Sequence, residues 1–439
     1  MIVRSLIAAL AAGGIAAATN PSPVTFSRDV APILQKHCQT CHRPGEAAPM
    51  SFLTYRETRP WAKAIRESVL LRKMPPWFAD PRFGKFANDR SLSQSDISTL
   101  ASWAENGAPE GDPKDLPPPR KFIEGWNIGQ PDAIVEMPTE FHVPASGTID
   151  YQYIVIPGGF TEDKWVQMAE VRPGNRALVH HMIAFVRPPG SKWLREAKPG
   201  VPFVPKKQGA GRRDGDETEG EFLVGFAPGS MPEVLKPGQG KLIKAGSDFV
   251  FQMHYTANGK AGTDRTRIGL TFAKETPAER VLTLAVQNRK FAIPPGDPNY
   301  EVHADITFQD TAALLAMLPH MHLRGKDFEY RLVYPDGRSE ILLRVPKYSF
   351  SWQLSYYLQE PRALTKGARI ECTAHYDNSA NNPENPDPTK EVRWGDQSWD
   401  EMMAGFFDVA FDAQKNPETL LKKQTKPAGG HSGETAGGN

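Results

Sequence analysis

Apolar and polar positions along the chain follow two different periods, and the change falls near residue 110. Up to that point the spacing is helical. Residues 24–36 lead into a close cysteine pair, and residues 60–71 carry apolar positions at helical intervals. Ser93 opens a last segment, 96–106, which stops at Gly107-Ala108-Pro109 as a capped helix does. The pattern predicts a small all-α domain over 22–110. Residues 111–124, with Asp-Pro and Pro-Pro-Pro, read as a stiff extended linker.

From 125 to 412 short runs of period two take over. Residues 151–156, 178–186 and 248–255 are three of them. Phe328, Tyr330, Leu332 and Tyr334 alternate with Glu329 and Arg331, and Pro335-Asp336-Gly337 then turns the chain into 339–345. That is a hairpin signature. The region predicts two antiparallel β-sandwich domains, 125–280 and 281–412, dividing near 277–290. Residues 188–220, rich in Pro, Gly and charge, read as a solvated surface loop that could also gate a cleft or dock a partner. The Gly- and Ser-containing end, 413–439, predicts a disordered tail.

A chain of 439 residues exceeds one ordinary core. Its 37 Gly and 40 Pro suit short strands and many turns. The 52 basic and 51 acidic residues leave a charge of +1 with no block of either sign, which argues against nucleic acid or a membrane surface as the main partner. Residues 1–18 read as an export signal: Arg4, an apolar run over 6–18, and a small-residue site at Ala16-Ala17-Ala18, so that the mature chain begins near Thr19. An uncleaved anchor is the competing reading, but the run is short for a span. The expectation is a periplasmic or secreted protein with no integral membrane span in the mature chain.

Only three cysteines occur, Cys38, Cys41 and Cys372, too few for a disulfide framework. Cys38-Gln39-Thr40-Cys41-His42 is the attachment signature of haem c. Two thiols add to the porphyrin vinyl groups, and the next residue places an imidazole under the iron. A redox dithiol or half a zinc site would leave His42 unexplained. Met74, in Lys73-Met74-Pro75-Pro76-Trp77, is the candidate sixth ligand; Met50 is the alternative, and core packing explains either. Together with the terminal helix, these features resemble small class I cytochromes c over 22–110.

Five of the eleven histidines fall in three settings within the β region: His180-His181-Met182, Gln252-Met253-His254-Tyr255 and His320-Met321-His322. On a strand, residues two apart share a side, so His320 and His322 can grip one ion. Adjacent His180 and His181 point oppositely, and sharing an ion demands a twist or bulge. Singly, each reads more simply as a hydrogen-bonded strand histidine. In this combination and order they resemble the copper type II, ascorbate-dependent monooxygenases, the peptidylglycine and dopamine hydroxylases among them, over 128–412.

The resemblance implies two coppers, one per sandwich, facing across a solvent-filled cleft. His180, His181 and His254 match the ligands of the first. His320, His322 and Met402 match those of the second, Met402 standing in Asp400-Glu401-Met402. Three imidazoles suit an ion that passes electrons, and two imidazoles with a thioether favour Cu(I). Zinc competes for a three-histidine site but accounts for neither Met402 nor a haem signature in the same chain. The implied activity is hydroxylation of an activated C–H bond of a small-molecule substrate with O2, with electrons from ascorbate or a redox protein. Because haem and copper each change by one electron, the haem is expected to feed the three-histidine copper.

Departures bear on the substrate. Where the peptidylglycine branch places an Arg, an Asn and a Tyr around its substrate carboxylate, this chain has Leu318, Ala404 and Phe406. They favour an apolar or aromatic substrate over a carboxylate. The family's disulfides are missing, and Cys372 reads as a buried free thiol. His375 is a candidate neighbour of the Met402 site or else a structural histidine. His142, His303 and His431 receive no role. Two other functions compete: an electron-transfer protein, a cytochrome carrying a copper- or substrate-binding β module without hydroxylase activity, and a metal-free glycan-handling sandwich pair.

Overall fold

Period-two burial is what the strands display. Along strand Arg369–Tyr376 the residues alternate half-buried and buried, with Ile370, Cys372, Ala374 and Tyr376 turned inward. The expected hairpin forms from Gly325–Val333 and Ser339–Val345, with Phe328, Tyr330 and Leu332 inside. Its turn relies on Gly337 at φ 85°, a conformation that glycine adopts without a Cβ clash. The computed structural model describes residues 23–46, 48–205, 220–227 and 229–421. The export signal, part of the 188–220 loop, His431 and the far tail lie outside the described residues.

The molecule is mostly β-sheet with a few short helices. Four strands in the order Gln152–Pro157, Asp248–Tyr255, Val179–Arg187 and Glu221–Phe226 make one sheet. Its apolar face meets strands Ala133–Glu136, Arg267–Phe272 and Lys164–Arg172 across a first core that includes Met182, Phe249, Phe251 and Leu270. A second core, with Phe328, Tyr330, Tyr376 and Phe407, lies between the sheet Tyr300–Thr307, Arg369–Tyr376, Gly325–Val333, Ser339–Val345 and the strands Glu279–Gln287, Ala404–Asp412, Ala312–His320.

Two all-antiparallel units were expected to part near 277–290. Instead one nine-stranded sheet runs through both, because Gln239–Ile243 pairs in parallel with Glu279–Gln287, Gln239 opposite Glu279 and Gly240 opposite Arg280. Each strand covers what would otherwise be an open edge of the other.

The N-terminal region has its own small core, Phe26, Val30, Leu34, Leu100 and Trp103, between helices Ala31–His37, Ala62–Leu70 and Gln94–Glu105. Ser93 caps the last of these, its hydroxyl accepting from the Asp96 N–H at 3.1 Å. The region is not helical throughout. Between the last two helices the chain crosses to the second β unit: Ala87 N–H donates to Tyr357 O, Gln359 N–H donates to Lys85 O, and the Trp77 and Phe86 rings pack on Tyr356. A run of aromatics with no helical period finds more to bury there. The Pro-rich linker also lies on the protein, with Arg120 donating to Gln35 O at 2.7 Å and Gln35 to Pro118 O at 3.0 Å. The tail begins later than its composition suggests. Leu420 is fully buried and Gln309 N–H donates to its carbonyl, so residues 413–421 belong to the second unit. Among the described residues, no helix is long and apolar enough to cross a membrane.

Candidate metal centres

His180 and His181 should face opposite ways on a regular strand. The pairing of Val179–Arg187 with Asp248–Tyr255 slips between Val179 and His181, and that irregularity brings both rings to one side. His254, across the ladder, completes the set. The three Nδ1 atoms converge: His181 Nδ1 stands 3.3 Å from that of His180 and 3.4 Å from that of His254. Nitrogens bound at about 2.0 Å to one ion in trigonal or tetrahedral geometry stand about 3.3–3.5 Å apart. The donor set therefore fits a single metal ion. Among the described residues it is the one group of three or more His, Cys, Asp or Glu side chains close enough to do so. Burial pushes the His254 imidazole down to about 3, with His180 adding to the shift, and burial and the surrounding histidines hold His181 well below its usual value. All are thus neutral donors at neutral pH. The Tyr151 ring leans on both His181 and His254.

His320 ends strand Ala312–His320, and His322 lies just beyond it with the ring centroids 5.2 Å apart. His320 Nδ1 is 2.7 Å from Gln353 Oε1, and His322 Nδ1 is 3.2 Å from Asp400 O. Both acceptors call for a proton on Nδ1 and leave the Nε2 lone pair free. His322 Nε2 is fully buried with no hydrogen-bond partner, a costly arrangement that a bound ion resolves.

Glu401 fastens this pair to the Met402 segment. Its buried carboxylate accepts from the backbone N–H groups of His322 at 2.8 Å, Arg324 at 2.6 Å and Met402 at 3.2 Å. Burial pushes Glu401 up to about 8 against the pull of those N–H groups and of Arg324. Tyr376 O–H holds Met402 O at 2.8 Å.

Both histidine groups border one cavity of about 1430 Å³, lined by His181, His320 and Met402. Leu318, Ala404 and Phe406 face into it, as does Arg289, which stacks on Trp394 at 5.1 Å. The cavity lining therefore includes cations, Arg289 among them, though position 318 holds Leu. Away from the cavity, Phe350 in the irregular stretch 346–355 lies between His180 and His322. That stretch also supplies Gln353. Sequence reading missed Phe350, Gln353 and Tyr376, because nothing in their spacing marks them, and it met Glu401 only as a neighbour of Met402 in the Asp400-Glu401-Met402 motif. Gln353→Ala is expected to weaken metal binding at the His320/His322 set by about 10–100-fold, the usual cost of removing an orienting partner, as read by competitive chelator titration. Unchanged affinity would mean that packing alone orients His320.

The haem signature sits on a compact turn. Helix Ala31–His37 ends at Cys38, whose carbonyl accepts from both Cys41 N–H and His42 N–H. The thiols are free, and burial pushes Cys38 up to about 12. His42 stacks on Phe52 at 4.3 Å, and its Nδ1 is buried without a partner. Two unbridged thiols and an imidazole on one turn fit a covalently held haem. Met50 packs on the same core as Cys38, whereas Met74, half-buried, follows helix Ala62–Leu70. Glu46, just after His42, pairs at 2.8 Å with both Arg43 and Arg176, and Arg176 directly precedes strand Val179–Arg187. The cysteine turn thus adjoins the strand that carries His180 and His181.

His375 takes the structural alternative: its ring bonds Asp327 at 2.8 Å and Glu301 at 3.1 Å on the outer sheet. Cys372 is a fully buried free thiol. His142 lies in a short pairing with Thr263, and His303 contacts Thr373.

No family model matches the chain, and no curated protein does. Solved structures similar to it include infectious bursal disease virus, Gx strain, at 8% identity and TM-score 0.20, covering 66% of this chain and 75% of that one. Allantoicase is another, at 9% identity and TM-score 0.16, covering 54% and 79%.

Proposed function

We propose that the protein is a copper-dependent monooxygenase that hydroxylates an activated C–H bond with O2, drawing electrons through a haem c held by Cys38, Cys41 and His42, from ascorbate, or from both. The observation that carries this reading is that a three-histidine cluster and the candidate pair of His320 with Met402 border a single cavity. Copper in these sites would supply one electron from each and activate O2 at the softer, Met402-containing set.

The protein's own groups do the rest. His180, His181 and His254 present neutral nitrogens on two strands joined by an irregular pairing, a rigid setting suited to electron passage. Gln353 and the Asp400 carbonyl fix the tautomers of His320 and His322 so that both Nε2 atoms serve as ligands. Glu401 holds Met402 in register with His322. Leu318, Ala404 and Phe406 form an apolar wall beside His320, the Phe406 ring 6.1 Å from it, and would seat the hydrocarbon part of a substrate away from water. The Glu46–Arg176 pair keeps the cysteine turn against the strand of His180 and His181, which supports entry of electrons there.

Metal and haem content per chain, on protein matured in an oxidising compartment with its haem-attachment machinery, tests the reading. Two coppers and one haem are expected, with copper falling to about one in Met402→Ala. Haem with zinc, or with no copper, would overturn the monooxygenase reading and leave an electron-transfer protein with a β binding module.

A further inference from the structure

One ring touches both ligand sets. Phe350 stacks on His180 with centroids 5.2 Å apart and planes at 22°, and meets His322 edge-on at 5.9 Å and 81°. It is buried, 9% exposed, whereas the cavity wall is made by His181, His320 and Met402. The ring is held firmly. Tyr348, two residues earlier, donates its O–H to Met321 O at 2.8 Å and accepts the Met321 N–H at 3.1 Å, gripping the backbone between the two histidines. Gln353, three residues later, bonds His320. The stretch 346–355 is therefore built onto the His320/His322 set and presents one aromatic face to the other.

We propose that Phe350 is a positioning residue that couples the two metal sites, providing a packed path for one electron from the three-histidine site to the Met402 site. This deepens the two-copper reading and rests on it. With copper held in both sites, the transfer would take one Cu(I) to Cu(II) at His180/His181/His254 and one Cu(II) to Cu(I) at His320/His322/Met402. No bond forms or breaks, and no proton moves. A continuous file of rings, His180, Phe350 and His322, replaces the water that an open gap would hold, and close-packed atoms keep contacts that a void loses.

The test uses haem-free Cys38→Ser/Cys41→Ser protein loaded with copper, reduced with dithionite, freed of excess reductant and mixed with O2. Freeze-quench electron paramagnetic resonance follows the return of each Cu(II) signal, the all-nitrogen site and the sulfur-containing site being distinguished by their hyperfine couplings. With Phe350 intact the two signals return together. Phe350→Leu is expected to keep two coppers with unchanged spectra while the three-histidine signal lags by about tenfold or more. Phe350→Tyr, which keeps the ring, is expected to behave as the parent does. No lag in the Leu variant, an equal lag in the Tyr variant, or loss of copper from either site in both variants would overturn the coupling role. Parent protein that binds no copper would instead overturn the two-copper reading itself.

Discussion

Glu401→Ala should destabilise the protein by about 3–5 kcal/mol and empty one metal site. A single carboxylate accepts from three backbone N–H groups, those of His322, Arg324 and Met402, and it is fully buried. Alanine leaves those donors without partners where water does not reach. It also removes the acidic group whose charge favours the Arg324 guanidinium, which is only 2% exposed and bonds Asn378 and Trp399 O. Both effects fall on the segment that aligns His322 with Met402. The expected outcome is a large fall in melting temperature, and copper content reduced by one per chain with the three-histidine site still loaded. A variant that melts lower but keeps full copper would show that Glu401 supports the fold without setting the site.

Cys38→Ser/Cys41→Ser should abolish covalent haem and, with it, electron delivery from a donor protein. Oxygen uptake driven by a one-electron redox protein is expected to fall by about tenfold or more, while ascorbate-driven uptake and copper content persist. Haem staining after denaturing electrophoresis checks the first effect, and an oxygen electrode the second. Unchanged uptake with the donor protein would remove the haem from the electron path. The geometry behind the expectation is the Glu46–Arg176 contact, which places the turn holding Cys41 next to the strand of His180 and His181.

The sequence was most legible where chemistry repeats in a fixed spacing. The doublet and the lone histidine marked three side chains that the fold gathers at one point, the alternating pair marked two rings that lie side by side, and the doublet itself implied the strand irregularity between Val179 and His181. Strand Asp248–Tyr255 and the Pro335-Asp336-Gly337 hairpin follow directly from period two and turn chemistry. The groups that hold the ligands in place were not legible. Gln353 and Phe350 lie in an irregular stretch, and Glu401 acts through hydrogen bonds to residues nearly eighty positions away. Such partnerships are set by tertiary packing, which leaves no period in the chain. The same holds for residues 77–90, whose aromatic run reads as part of a helical unit but finds its partners on the far β unit.

The parallel pairing of Gln239–Ile243 with Glu279–Gln287 has a mechanical consequence. Proteins that clasp a ligand between lobes usually bend at a few loop residues, and the lobes swing as rigid bodies. Here the lobes share a spine of backbone hydrogen bonds, and a swing would first have to tear Glu279 and Arg280 from Gln239 and Gly240. The span between the two histidine sets is thus fixed like the marks on a ruler. Admission of a guest molecule must then come from yielding side chains and loops at the cavity mouth, with the frame itself standing still.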